Sequence, residues 1–247
     1  MRSSNPIFSK DLSVSNSNGY DLAERTMSVT GTMGKLMLLA LIMIVAAAAV
    51  YYQFSLGRFD FVNSAVQAGA IIGLILALII SFKPKSAPYL SPMYAFLEGA
   101  VLSGLSCMFE SLYPGIVIQA VSITFLTVMS MAVLFSTGII KATEKFRAIV
   151  GTATLAICIF YVISLVLMLF HVNVPYFTST SPVAIGINAL FALVAALFLI
   201  IDFDNIKKGV NNNYPAIFEW YFAFGLIVTI VWLYLEILRL LARTQKR

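Results

Sequence analysis

The sequence predicts an all-α polytopic membrane protein of seven transmembrane helices, and three observations carry that prediction. Of the 247 residues, 60% are hydrophobic and only 11% are charged, with a mean hydropathy of +0.94, far from the balance of a soluble domain. The apolar residues gather into seven runs, each near the roughly 20 residues a helix needs to cross a hydrocarbon core of ~30 Å. Runs such as Leu36 to Val50 are continuously apolar, whereas outer-membrane strands alternate apolar and polar positions. One membrane domain, residues 34–242, is therefore expected, with the lipid bilayer as its first partner. A polar tail rich in Ser and Asn, residues 1–33, precedes it, and a short basic tail, residues 243–247, follows. The first tail has no apolar core before a cleavage site and reads as a flexible cytosolic segment, not a signal peptide.

The runs fall at about 34–54, 62–82, 89–109, 114–138, 148–170, 183–203 and 216–240. In the second, Ala65, Gly69, Gly73, Ala77 and Ser81 recur every four residues, a smooth helix face against which a neighbouring backbone can pack closely. The third repeats the device with Ala95, Gly99, Ser103 and Cys107, after Pro92 near its start. Gln119, Ser122, Thr124, Thr127 and Ser130 dot the fourth; such groups usually bond to their own helix or to a neighbour. The outer loop from His171 to Pro182 carries no formal charge, and its histidine, with no acidic neighbour, reads as interfacial. Cys107 and Cys158 lie inside apolar runs without metal-ligand spacing, so they read as packing residues, and no cofactor is expected.

The net charge of +5 is dispersed over short loops and tails, which fits membrane topology better than nucleic-acid binding. With the N-terminus cytoplasmic, Arg2, Lys10, Arg25, Lys35, Lys83, Lys85, Lys141, Lys145, Arg147, Lys207 and Lys208 fall inside, and the three outer loops hold only Arg58. The end of the chain disagrees. Arg239, Arg243, Lys246 and Arg247 lie outside if the seventh run crosses, as its length allows; a re-entrant last segment would return them to the cytoplasm.

Five carboxylates lie in or beside these runs: Glu98, Asp202, Asp204, Glu219 and Glu236. Acids at membrane depth usually face the protein interior or a wet cavity, and they mark function by default. Asp202 and Asp204 point some 200° apart on a helix, so only one can face a given partner. Asp204 has Lys208 at i+4 and reads as the water-side gate residue, which leaves the buried role to Asp202. Asp202 lies about 7 Å below the charge layer at Lys207, and Glu219, four residues after Pro215, reaches a similar depth, so the two can be neighbours. Two such acids could not both ionise cheaply and would share a proton, a pH sensor; deprotonated, they would offer oxygen ligands to Ca²⁺. Glu236 lies about 25 Å further along a continuous helix, near Arg239 at i+3, and Glu98 sits near mid-depth as a core acid.

Three motifs carry a family resemblance: Tyr94-Ala95-Phe96-Leu97-Glu98-Gly99, Ile201-Asp202-Phe203-Asp204-Asn205-Ile206 and Leu233-Tyr234-Leu235-Glu236. With them the chain resembles the transmembrane Bax-inhibitor-motif family, most closely its bacterial, YccA-like branch. The resemblance implies seven helices with a central last helix in an inner membrane, and a pH-sensitive Ca²⁺ leak controlled by acids on the sixth and seventh helices. Asp202 matches the sixth-helix acid. The seventh-helix acid falls on Glu236 when Tyr-Leu-acid is aligned, or on Thr229 when the Leu-Leu-Arg region is aligned, while the depth argument favours Glu219. No basic residue within the second run matches a latch, since Lys83 stands at its end.

The function expected is a passive, pH-sensitive cation leak, with Ca²⁺ as the ion and Asp202 and Glu219 as its switch. The alternative is a non-channel regulator of a membrane protease or stress pathway, acting through its helices and polar tail. An enzyme is not expected: Gly-x-Gly-Asp, His-Glu-x-x-His and any phosphate-binding glycine loop are absent, and Gly104-Leu105-Ser106 has no histidine in a later span.

Overall fold

In the computed structural model, which describes residues 25–170, 172, 174, 176, 179 and 181–246, the chain forms seven long helices. They are α1 (Val29–Ser55), α2 (Phe59–Phe82), α3 (Ala87–Leu112), α4 (Ile116–Ser136), α5 (Glu144–Leu169), α6 (Pro182–Asn211) and α7 (Phe218–Gln245). Each is long and apolar enough to cross a membrane, and no strand is found among the described residues.

Local chemistry sets the boundaries. Ser28 caps α1, its hydroxyl accepting from the Gly31 N–H at 2.9 Å, and Ser181 caps α6 ahead of Pro182, which has no N–H to satisfy in the first turn. Between α3 and α4 the chain turns at Gly115, whose φ of +84° is open to glycine at no steric cost. The Glu110 carboxylate accepts the N–H groups of Gly115 and Val117 there, at 2.6 and 3.0 Å. α6 continues to Asn211, about two turns beyond the apolar run that ends near 203, because Asp204 pairs with Arg147 of α5 and with Lys208 one turn later.

Contacts fix the helix directions. Gly99 meets Met43 and Ser103 bonds to the Ala47 carbonyl at 2.7 Å, a constant offset, so α1 and α3 run parallel. Gly69 faces Leu97 and Val101 while Gly104 faces Val66, the reversed order of antiparallel α2 and α3. The glycine stripes thus serve close packing: a Cβ on Gly99 would overlap the Met43 backbone, whereas one on Gly73 would sit at ordinary contact from Glu98, 3.6 Å away. α6 and α7 form an antiparallel hairpin along their whole length, pairing Asp202 with Thr229 and Asn188 with Glu236. A re-entrant last segment is therefore not what the chain forms.

α7 is the central element. It packs against α1, α3, α4 and α6, and residues on all its sides are buried, among them Ala223, Leu226, Leu233 and Leu238. α2 and α5 lie outside, with rows of exposed residues such as Ile71, Leu74 and Ile75 or Leu155, Ile159 and Val162, suited to lipid contact. An apolar groove of about 940 Å³ opens between α1, α3 and α4, floored by Ile227, Val231 and Tyr234 of α7.

The expected tail of residues 1–33 divides. Residues 1–24 lie outside the described residues, and 29–33 are the first turn of α1. Between them, Met27 donates its N–H to the Tyr214 carbonyl and Ala216 to the Arg25 carbonyl, both at 2.7 Å, so residues 25–28 strap the turn between α6 and α7. Met27 is 3% exposed and seats against Gly209, where a side chain would collide with its sulfur. At the other terminus, Arg243 belongs to α7 and is buried instead of heading a basic tail.

Candidate functional site

Asp202 is partly buried on α6 and accepts a hydrogen bond of 2.6 Å from the Thr229 hydroxyl on α7. Among the described residues it makes no ion pair. The same hydroxyl lies 3.2 Å from the Gly225 carbonyl, and since it has one proton, it can donate to only one of the two acceptors. When Asp202 is ionised, Thr229 donates to it. When Asp202 is protonated, the carboxyl donates to Thr229, and the threonine proton turns to Gly225. The contact thus survives in both states with its polarity reversed, and only the charge of Asp202 changes.

The expected pair of Asp202 with Glu219 is not formed, and neither is a shared Ca²⁺ site between them. Thr229 stands ten residues beyond Glu219, about 15 Å along the helix, so Asp202 cannot bond to both. The equal-depth expectation fails because α6 stays helical to Asn211, nine residues past Asp202, so the start of α7 lies at the turn and well away from the level of Asp202. The carboxylate of Glu219, 5% exposed, turns to α1, where it pairs with Lys35 and accepts the N–H and hydroxyl of Ser28 at 2.9 and 3.1 Å. Gly31 leaves room for it, because a Cβ there would overlap the carboxylate. Glu219 is a clasp between the first and last helices. Glu219→Ala is expected to cost about 1–3 kcal/mol by leaving these donors unpaired, visible as a lower unfolding temperature in detergent.

Asp204 faces the other way from Asp202, as helical phase requires, into the ion pairs with Arg147 and Lys208, the latter at 3.2 Å. It lines a pocket of about 370 Å³ formed with the α4–α5 connection and Lys207. Glu98 is partly buried on α3, across from Gly73 of α2 and one turn from Tyr94, apart from the other acids.

Glu236 has the densest polar surroundings in the molecule and is fully buried. It accepts from Tyr161 of α5, from Asn188 of α6 at 2.6 Å and from Trp232 at 3.1 Å, and it pairs with Arg239 at 3.2 Å. One turn on, Arg243 donates to the carbonyls of Tyr176 and Ala184 and stacks on the Tyr176 ring, 4.4 Å from its centroid. Two of the four cations that conflicted with a seventh crossing are thus held inside the protein, one by a carboxylate and one by carbonyls.

Residues 5–246 match the family described as Bax inhibitor 1 like. The chain belongs to that family. No curated protein and no solved structure matches it. In this Bax inhibitor 1-like protein the geometry separates the two alignments of the seventh helix: Thr229 faces Asp202, and Glu236 lies seven residues beyond, in its own network. A hydroxyl therefore stands where the resemblance implied a second carboxylate.

Sequence reasoning missed Lys35, Arg147, Tyr161 and Asn188 as partners. One signal was available. Asp202 and Asn188 are fourteen residues apart, and Thr229 and Glu236 seven, so both pairs recur on a single helix face. Writing α6 and α7 as an antiparallel hairpin would have set these faces together but not their register, because with Asp202 opposite Thr229 an equal rise places Arg243, not Glu236, opposite Asn188. Lys35 and Tyr161 had no such marker, since their partners depend on how α1 and α5 pack.

Proposed function

We propose that this protein is a passive, pH-sensitive leak for cations, Ca²⁺ among them, with Asp202 as the group that responds to protons. The observation that carries this reading is the Asp202–Thr229 contact: a partly buried carboxylate between two helices, held by one neutral hydroxyl and no cation. Protonated, the pair is neutral and suits a dry hairpin. Ionised, the carboxylate has lost water and gained a single hydrogen bond, a deficit that draws in water or a cation. Asp202 and Thr229 supply two side-chain oxygens, fewer than the six to eight ligands Ca²⁺ takes, so the site suits passage better than retention. Glu219, already engaged by Lys35 and Ser28, is assigned to structure.

We place the N-terminus on the cytoplasmic side of a bacterial inner membrane. The strap of residues 25–28, Lys83, Lys141 and Lys207 then share the inner face, and Arg239, paired with Glu236, and the buried Arg243 no longer oppose it. A second reading, regulation of a membrane protease or stress pathway, is favoured by the strap, because a partner on the preceding tail would pull on the α6–α7 turn.

Purified protein in liposomes, assayed for Ca²⁺ entry between pH 5 and 8, tests the leak. Flux is expected to rise several-fold from acid to neutral pH, to become flat with pH in Asp202→Asn, and to keep its pH response in Glu219→Gln. Vesicles no leakier than protein-free ones at every pH would overturn it.

A further inference from the structure

The outer helix α5 presents Arg147, Thr154 and Tyr161 at seven-residue intervals, hence on one face, with about 10 Å between successive members. α7 answers with Thr229, Glu236 and Arg243 at the same interval, and α6 with Asp202 and Asn188. These faces meet. Arg147 donates to Asn205 at 3.0 Å and pairs with Asp204, Tyr161 donates to Glu236, and Asn188 donates to Glu236.

Along this seam lie buried polar atoms that have no hydrogen-bond partner among the described residues: Arg147 Nε at one end, Thr154 Oγ1 in the middle and Asn188 Oδ1 toward the other. Thr154 is the informative one. A threonine inside a membrane helix ordinarily donates to the carbonyl one turn back, and Thr124, Thr127 and Thr137 of this chain do so at 2.7 to 2.8 Å. Thr154 does not; its oxygen is buried without a hydrogen-bond partner among the described residues, on the helix face that carries Arg147 and Tyr161. An orphaned buried polar group costs about 1–3 kcal/mol, and three at successive depths of one interface call for a shared polar occupant. Successive members of the α5 row lie about 10 Å apart, too far to share one water, so a file of internal waters is the occupant that meets that need.

We infer that water and cations cross along the seam between α5 and the α6–α7 hairpin, with Thr154 as its polar step at mid-membrane. The cation part rests on the leak reading above; the hydration of the seam does not. At the Lys207 end the seam opens on the pocket that Asp204 lines, and at the far end the Tyr161–Glu236–Arg239 network closes it. α5 packs chiefly against α6, and its separation from the hairpin would break the Tyr161 bonds to Glu236 and Arg239.

The test is cysteine accessibility in liposomes, with Cys107→Ala and Cys158→Ala as the background and a charged, membrane-impermeant methanethiosulfonate reagent as the probe. Thr154→Cys is expected to react at least tenfold faster than Leu155→Cys, the adjacent α5 position, which is 60% exposed on the outer, lipid-facing surface. Thr154→Val should lower Ca²⁺ flux several-fold, and Thr154→Ser should preserve it. Equal, slow labelling of both cysteines in vesicles that still conduct Ca²⁺ would overturn the seam and leave the leak standing. Fast labelling of Thr154→Cys in vesicles without flux would uphold the hydrated seam and overturn the passage of cations.

Discussion

Glu236→Leu is expected to destabilise the protein by about 3–5 kcal/mol, the range for removing one partner from a buried charge pair. The carboxylate is the common acceptor for Tyr161, Asn188, Trp232 and Arg239; without it Asn188 keeps only the Glu236 carbonyl at 3.2 Å, and Arg239 keeps the Tyr161 hydroxyl at 2.8 Å but loses its counter-charge. Most of the penalty comes from that uncompensated cation. The double variant Glu236→Leu, Arg239→Leu should therefore recover part of it, although each substitution alone removes polar contacts. Thermal unfolding in detergent, read by size-exclusion or intrinsic fluorescence, makes the comparison. A double variant no more stable than Glu236→Leu would contradict the assignment of Glu236 as the counter-ion.

Gly99→Ala should cost about 1–3 kcal/mol, although alanine is the better helix former, because its methyl group would fall on the Met43 backbone. Backbone cannot step aside as the end of a side chain can. Either α1 and α3 move apart, at the expense of the Ser103 bond to the Ala47 carbonyl, or α3 bends. Gly73→Ala is the matched control. Its new methyl would lie at ordinary contact from Glu98, 3.6 Å away, so helix propensity should make it neutral or slightly stabilising. The two substitutions share a chemistry and a family of small-residue stripes, and the same unfolding assay separates them. Equal effects would show that the α1–α3 approach is looser than this geometry.

The fold was legible because a membrane leaves few solutions: seven apolar runs of helix length must become seven helices, and each lies within a few residues of its expected place. Exceptions occur where charge rather than hydropathy governs, as at the end of α6, which Asp204 and its cations extend. The candidate site was half legible. Helical phase alone separated Asp202 from Asp204, and the contacts of the two acids agree with that. Its partner was harder, since depth is one coordinate and a contact needs three. Glu219 sits at the α6–α7 turn, about 15 Å along α7 from Thr229, because charge keeps α6 helical to Asn211, and it faces α1, which only the packing of the first helix on the last decides. Thr229 escapes attention for a different reason. A threonine in an apolar run carries no charge to flag it, and what marks it is the acid opposite.

Because α7 follows in the chain every helix that packs on it, the order of synthesis runs against the order of burial. A ribosome releases α1, α3, α4 and α6 before the element on which all four converge exists, and their inner faces must wait in the bilayer or be shielded until residue 245 is complete. The clasp of Ser28 and Lys35 on Glu219 then joins the first of the seven helices to the seventh. It closes only when translation of the membrane domain is nearly finished, so a prematurely terminated chain lacks both the centre of the bundle and the contact that ties its two ends together.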